Sequence, residues 1–150
     1  MPQSFTSLLY HVIFSTKHRE PLIDAELKPR LHAYLGGIVN DAEGRAVIVG
    51  GVEDHVHVLA YLPKTMTVPD ALRTMKSKSS GWVHRTFPDR QAFAWQQGYA
   101  AFTVSLSVIE DVRRYIENQV EHHRTVSFQD EYRMFLRRHG LEWDEQYVWD

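Results

Sequence analysis

Two histidines, His55 and His57, stand one residue apart inside Asp54-His55-Val56-His57-Val58-Leu59-Ala60-Tyr61-Leu62-Pro63, a stretch otherwise apolar enough to be a buried strand. A strand turns alternate side chains to opposite faces, so His55, His57, Leu59 and Tyr61 share one face while Val56, Val58, Ala60 and Leu62 share the other. Two imidazoles on one rigid element then point the same way, which is the geometry of two metal ligands. The spacing by itself is weak: with nine histidines in 150 residues, chance supplies about half of one such pair. The apolar surroundings strengthen it. Two buried imidazoles without partners each cost free energy, and a metal ion removes that cost. The chain has no cysteine, so any ion is held by nitrogen and oxygen.

A second candidate group lies in Tyr115-Ile116-Glu117-Asn118-Gln119. On a helix Tyr115 and Gln119 are about 40° apart and can converge on one object. Tyrosine oxygen is a possible nucleophile and a glutamine carbonyl a hard oxygen ligand suited to Mg²⁺ or Mn²⁺. Singly, each has a plainer reading, the tyrosine as a core-margin aromatic and the glutamine as a surface residue. His122 and His123 are neighbours on the same helix, and adjacent helical residues splay by about 100°, which argues against both facing one ion. Lysines and hydroxyls alternate in Lys76-Ser77-Lys78-Ser79-Ser80, with Arg73 close by, while Arg113 and Arg114 adjoin Tyr115. Such groups suit phosphate contacts that position a nucleic acid, although a few lysines on a helix are an ordinary solvated face.

The elements that must position these residues can be read in order. Ser7 to Ser15 is β-branched and aromatic, a strand buried on both faces. Leu27, Leu31, Leu35 and Ile38 recur at helical spacing, with Asp24 as cap and Gly44 as stop. Arg45 to Val52 is a second strand, and the two-residue link Glu53-Asp54 makes it a hairpin with the histidine strand. Thr67 caps a second helix with an apolar stripe of Val68, Leu72, Met75, Trp82 and Val83. Residues 93–105 form a long strand or a bent pair, with Gly98 marking a kink or a close approach. The order strand, helix, strand, strand, helix, strand predicts an α+β fold, a ferredoxin-like (RRM-like) antiparallel sheet with two helices on one face. Ser107-Val108-Ile109-Glu110 has the form of a capping box for a third, tyrosine-bearing helix running to about His123, its inner stripe Ile109, Val112, Ile116 and Val120. The aromatic-rich remainder, Thr125 to Asp150, predicts a tail that docks on the body or on a second subunit.

Length predicts one domain, 1–150. The opening residues lack the pattern of a signal peptide, and no apolar run approaches the ~20 residues that span a bilayer, so a cytoplasmic protein is expected. A formal net charge of −2 gives no global attraction to nucleic acid, which would have to be met by a local basic patch.

Three motifs, taken together and in order, resemble the single-tyrosine HUH transposases of small bacterial and archaeal insertion sequences. They are Asp54-His55-Val56-His57-Val58-Leu59, the segment Trp95-Gln96-Gln97-Gly98-Tyr99-Ala100-Ala101-Phe102-Thr103-Val104-Ser105, and Tyr115 to His123. The resemblance spans nearly the whole chain and implies that His55, His57 and Gln119 bind a divalent metal, Mg²⁺ or Mn²⁺, and that Tyr115 is the nucleophile. It implies cleavage of single-stranded DNA to a 5′-phosphotyrosyl intermediate and a free 3′-hydroxyl, followed by strand transfer without ATP. The implied partners are single-stranded DNA with hairpin ends and a second copy of the chain, in a homodimer whose active site is shared between subunits. From their own chemistry, Arg73, Lys76, Lys78, Arg113 and Arg114 are the expected contacts to the nucleic-acid backbone. Domesticated relatives associated with repeated extragenic palindromes carry the same motifs. Two rival readings are a metal-dependent nuclease in which water attacks, and a non-catalytic single-strand-binding module with exposed sheet aromatics.

Overall fold

β1 (Leu9–Ser15) is the strand around which the sheet assembles, because it is apolar on both faces and has a neighbour on each side. In this computed structural model, which describes residues 2–150, β1 pairs antiparallel with β3 (His55–Tyr61) and with β4 (Ala100–Thr103), and β2 (Arg45–Val52) completes the order β2-β3-β1-β4. β2 and β3 form the expected hairpin, Val52 opposite His55 across the Glu53-Asp54 link. With helices α1 (Leu27–Asp41) and α2 (Val68–Thr86) inserted between the strands, the arrangement is the ferredoxin-like α+β fold.

The period-two pattern of β3 divides the core in two. Val56, Val58 and Ala60 pack with Leu31 and Leu35 of α1 and Leu72 and Met75 of α2. The opposite face carries His55, His57 and Leu59. It is covered by α3 (Ile109–Glu117) and by α5 (Phe128–Arg138), through Ile116 on one and Phe128, Tyr132 and Leu136 on the other. Both faces are therefore buried, and the histidine face lies beneath the third helix and the aromatic tail rather than beneath α1 and α2.

Several local expectations are met and several corrected. The Asp24 carboxylate accepts from the Leu27 N–H at 2.9 Å, and Thr67 Oγ1 accepts from the Asp70 N–H at 3.2 Å, so both caps act as the sequence suggests. Beyond α1 it is Glu43, with φ 68°, that takes the left-handed turn, not Gly44. Segment 93–105 is a bent pair: Trp95 bridges to Thr16 alone, and β4 begins only at Ala100. The Ser107 capping box does not form; Ser105 Oγ accepts from the Ser107 N–H at 3.3 Å and opens a short turn over Leu106–Val108. The tyrosine helix ends at Glu117, and α4 (Gln119–His122) begins after the single residue Asn118. That break rotates Val120 out of the apolar stripe, leaving it 52% exposed. Among the described residues no helix is long and apolar enough to cross a membrane.

α3 reaches the sheet because Gly50, opposite His57 in the hairpin, has no side chain. A Cβ there would lie 2.5 Å from the Ile116 carbonyl oxygen and 2.7 Å from Ile116 Cγ2. Gly50→Ala is therefore expected to push α3 outward and to lower stability by about 1–3 kcal/mol, read as a shift in the urea midpoint with an unchanged slope.

Candidate functional site

His55 and His57 are both fully buried on one face of β3, as their spacing predicts. What they meet there comes from α5. Glu131 Oε1 lies 3.3 Å from His55 Nε2, 3.0 Å from His57 Nε2 and 3.2 Å from His123 Nε2. Each ring is anchored through its other nitrogen. His55 Nδ1 is 2.7 Å from Asp54 Oδ1, His123 Nδ1 is 2.6 Å from the Val126 carbonyl, and His57 Nδ1 is 2.7 Å from His11 Nε2. Three imidazoles thus present Nε2 to one point. Fixing the outer nitrogen orients a metal-ligating ring and sets its tautomer.

Gln119 and Tyr115 converge on the same group. Gln119, 1% exposed, places Oε1 3.0 Å from His55 Nε2 and 2.9 Å from His123 Nε2, and its amide donates to Glu131 Oε2 at 3.0 Å. The Tyr115 hydroxyl donates to that same Oε2 and lies 3.2 Å from His122 Nε2. One ligand atom from each of His55, His57, His123 and Glu131 falls within 4.8 Å of all the others. Three imidazole nitrogens, a carboxylate and an amide oxygen, convergent and buried, are a donor set that fits a divalent cation.

No sequence motif points to Glu131 or His11, and His123 enters the site although helical splay argues against its sharing an ion with His122. Glu131 did leave a trace: Phe128, Glu131, Tyr132 and Leu136 are the buried residues of α5, so an acid occupies a position in a helical apolar stripe. His11 likewise interrupts the apolar run of β1. The splay of adjacent helical residues holds for the ion site: His123 joins the convergent set and His122 does not. The His123 N–H still bonds the Gln119 carbonyl at 2.9 Å, so His123 keeps the helical i,i+4 relation that brings its ring to Gln119 Oε1. The two rings then reach different oxygens of one carboxylate, His122 Nε2 lying 3.3 Å from Oε2.

Burial and charge shape the protonation of the group. Burial would lower His55, but the Asp54 and Glu131 carboxylates outweigh it and hold the ring up at about 9. At His57 burial outweighs the Glu131 carboxylate, and the neighbouring His55 and His123 lower the ring further, to about 4. Burial would raise Glu131, yet hydrogen bonds from His123, His55 and His57 hold it well below the usual carboxylate range. The Tyr115 phenol is pushed up by burial and then by the Glu131 charge. A divalent cation held by these residues would supply positive charge that favours the phenolate.

The basic residues are dispersed. Arg73, Lys76 and Lys78 lie on α2, across the sheet from the histidines. Arg73 pairs with Asp70 at 2.6 Å, Lys78 is exposed, and the Lys76 ammonium donates to the carbonyls of Gln96, Gln97 and Gly98. Beside them lies a cleft of about 570 Å³, lined by Arg73, Lys76, Ser80 and Tyr99 among others. Arg113 pairs with Glu110 and Glu117 and Arg114 with Asp111, on the helix that carries Tyr115.

Residues 4–119 match the sequence model of the family described as IS200-like transposase. Among curated relatives, the chain is 25% identical to the ISDra2 transposase TnpA of Deinococcus radiodurans, over 75% of this chain and 84% of that protein. It is 26% identical to the transposase for insertion sequence element IS200 of Salmonella typhimurium, over 75% and 76% respectively. Among solved structures, a Deinococcus radiodurans protein described as a candidate transposase superposes with a TM-score of 0.62 at 26% identity, covering 79% of this chain and 98% of that one. A REP-associated tyrosine transposase bound to a REP hairpin shares the fold, with a TM-score of 0.53 at 13% identity over 81% and 73%.

Removing the Glu131 carboxylate leaves the Tyr115 hydroxyl, the Gln119 amide and three ring nitrogens facing each other without it. Glu131→Ala is expected to lose about 3–5 kcal/mol of stability at pH 7 in the presence of chelator, measured by urea denaturation. A loss below about 1 kcal/mol would show that the carboxylate is not the hub of the group.

Proposed function

The chain belongs to the IS200-like transposase family, and from that premise we propose that it cleaves and rejoins single-stranded DNA through Tyr115, as one transposase domain over 1–150 acting in the cytoplasm. The observation that carries this reading is the shared carboxylate. Glu131 accepts from the Tyr115 hydroxyl on one oxygen and meets His55, His57 and His123 on the other. This contact supports the reading because Tyr115 and the candidate metal ligands, though distant in sequence, meet at one carboxylate.

His55, His57 and Gln119, joined by His123 and Glu131, would hold a divalent ion, Mg²⁺ or Mn²⁺. When bound, the ion supplies Lewis acidity to a non-bridging phosphate oxygen and orients the scissile group. Tyr115 Oη attacks phosphorus in line: the Tyr115 O–P bond forms, the P–O3′ bond breaks, and the phenolic proton passes to the Glu131 carboxylate that already accepts its hydrogen bond. The departing 3′-oxygen takes a proton from solvent. The products are a 5′-phosphotyrosyl enzyme and a free 3′-hydroxyl. Since the phosphotyrosyl bond conserves the energy of the phosphodiester, a second 3′-hydroxyl can attack it and join new ends, which is strand transfer. Arg113 and Arg114 adjoin Tyr115 and, with Arg73, Lys76 and Lys78 across the sheet, serve as phosphate contacts. The substrate is single-stranded DNA bearing hairpin ends, in keeping with the REP hairpin bound by the structural relative.

A second reading shares the site between two copies in a homodimer, each Tyr115 serving its partner. It is favoured by the break at Asn118, which puts Tyr115 on α3 and Gln119 on α4. On that reading a mixture of Tyr115→Phe protein with protein lacking both His55 and His57 regains cleavage that neither shows alone. No recovery on a labelled oligonucleotide assigns the whole site to one chain.

Intact-protein mass spectrometry after incubation with Mn²⁺ and single-stranded oligonucleotides from the DNA flanking the gene tests the chemistry. Wild type is expected to gain the mass of a 5′-linked fragment, and Tyr115→Phe to gain none while still binding Mn²⁺. Cleavage by Tyr115→Phe without an adduct would make water the nucleophile. Binding without cleavage by wild type would make the protein a non-catalytic relative.

A further inference from the structure

His11 takes no part in the chemistry proposed above, yet it is 2% exposed in the middle of β1. The register pairs His11 with Leu59 and Ile13 with His57, so His11 and His57 are diagonal neighbours on the same face of the sheet. His11 Nε2 lies 2.7 Å from His57 Nδ1. Phe135 packs edge-on against the His11 ring, with centroids 5.1 Å apart and planes at 89°, which fixes the plane in which that nitrogen points.

A neutral imidazole has one N–H and one lone pair. An ion at the common point of the three histidines must take the lone pair of Nε2, which leaves the proton on Nδ1. That proton needs an acceptor, because a buried N–H without one is unfavourable. His55 has the Asp54 carboxylate for this purpose and His123 the Val126 carbonyl, groups that can only accept. His57 has His11. Resting on the metal-centre reading of the site, we infer that His11 is a positioning residue: it accepts from His57 Nδ1–H and thereby holds the Nε2 lone pair toward the ion. The competing tautomer carries its proton on Nε2 and donates to Glu131 Oε1, 3.0 Å away, where it blocks coordination. An imidazole can also donate, so the link to His11 survives in either tautomer, but only its acceptor role is compatible with a bound ion.

The test compares full-length wild type, His11→Phe and His11→Gln. Phenylalanine keeps a flat apolar ring against Phe135 and removes the acceptor, whereas the glutamine amide oxygen can still accept. Mn²⁺ affinity is read from the free-ion signal in electron paramagnetic resonance. The His57 tautomer is read from side-chain ¹⁵N–¹H correlation spectra with Zn²⁺ as the diamagnetic probe. His11→Phe is expected to weaken Mn²⁺ binding by about 10–100-fold and His11→Gln to retain most of the affinity, with His57 protonated on Nδ1 in the Zn²⁺-loaded wild type. Unchanged affinity in His11→Phe, or His57 found coordinated through Nδ1, overturns the role of His11 while leaving the metal centre intact. Equal weakening in both variants reduces His11 to a packing residue. Should His11→Phe fail to fold, the wild-type tautomer and the His11→Gln affinity decide the matter. Wild type that binds neither ion overturns the metal-centre reading, and the role of His11 with it.

Discussion

A carboxylate buried to the exclusion of solvent is tolerated only if its charge is met on every side, and Glu131 is such a group. His55, His57 and His123 meet one of its oxygens, while Tyr115, Gln119 and His122 meet the other. Those partners come from β3, α3, α4 and the residue after α4, whereas Glu131 itself comes from α5. The requirement to satisfy one ion therefore ties the C-terminal helix, the tyrosine helix and the central hairpin into a single arrangement. The aromatic contacts of α5 with Phe102 and Ile13 supply apolar burial around it. They do not specify which residue of the helix faces inward as strictly as the charge does.

The sheet contributes rigidity and close approach. β3 is central and hydrogen-bonded on both edges, so His55 and His57 are held on backbone that has little freedom to move. β2 lets α3 sit directly on the sheet at Gly50, which brings Tyr115 within reach of groups rooted in β3. Asp54, in the hairpin turn, and His11, on the neighbouring strand, orient the two strand histidines from outside. Ligand geometry of this kind depends on partners one shell removed, and here those partners belong to the same sheet.

In the proposed reaction the protein has little covalent chemistry to perform beyond the tyrosine attack. Most of its contribution is placement: a phenol beside a carboxylate that can take its proton, and nitrogen and oxygen donors gathered where a dication can act on the phosphate. The slightly acidic balance of the chain is consistent with local rather than global attraction of DNA. Arg113 and Arg114 are the cations nearest the nucleophile in sequence, and both are already paired with acids on α3. A phosphate would have to compete with those pairs, whose exposure makes them weak.

Local rules were enough for much of this protein. The period of two in β3 determines that His55 and His57 share a face; the two-residue link to β2 determines an antiparallel hairpin; the order of strands and helices determines the ferredoxin-like sheet. Helical spacing also suffices to bring Tyr115 and Gln119 to one flank, even though Asn118 interrupts the helix between them. Tertiary structure alone decided what those residues meet. Glu131 lies 74 positions from His57 and His11 lies 46, and no periodicity within a segment reports which distant side chain will complete a buried group. It likewise decided that His123, one turn beyond Gln119, would face the buried group while His122 reaches only its edge. The physical reason is that backbone hydrogen bonding and apolar pattern act over a few residues and leave a signature in the sequence. The pairing of a buried charge is a property of the closed core, and it exists only after the helices have docked.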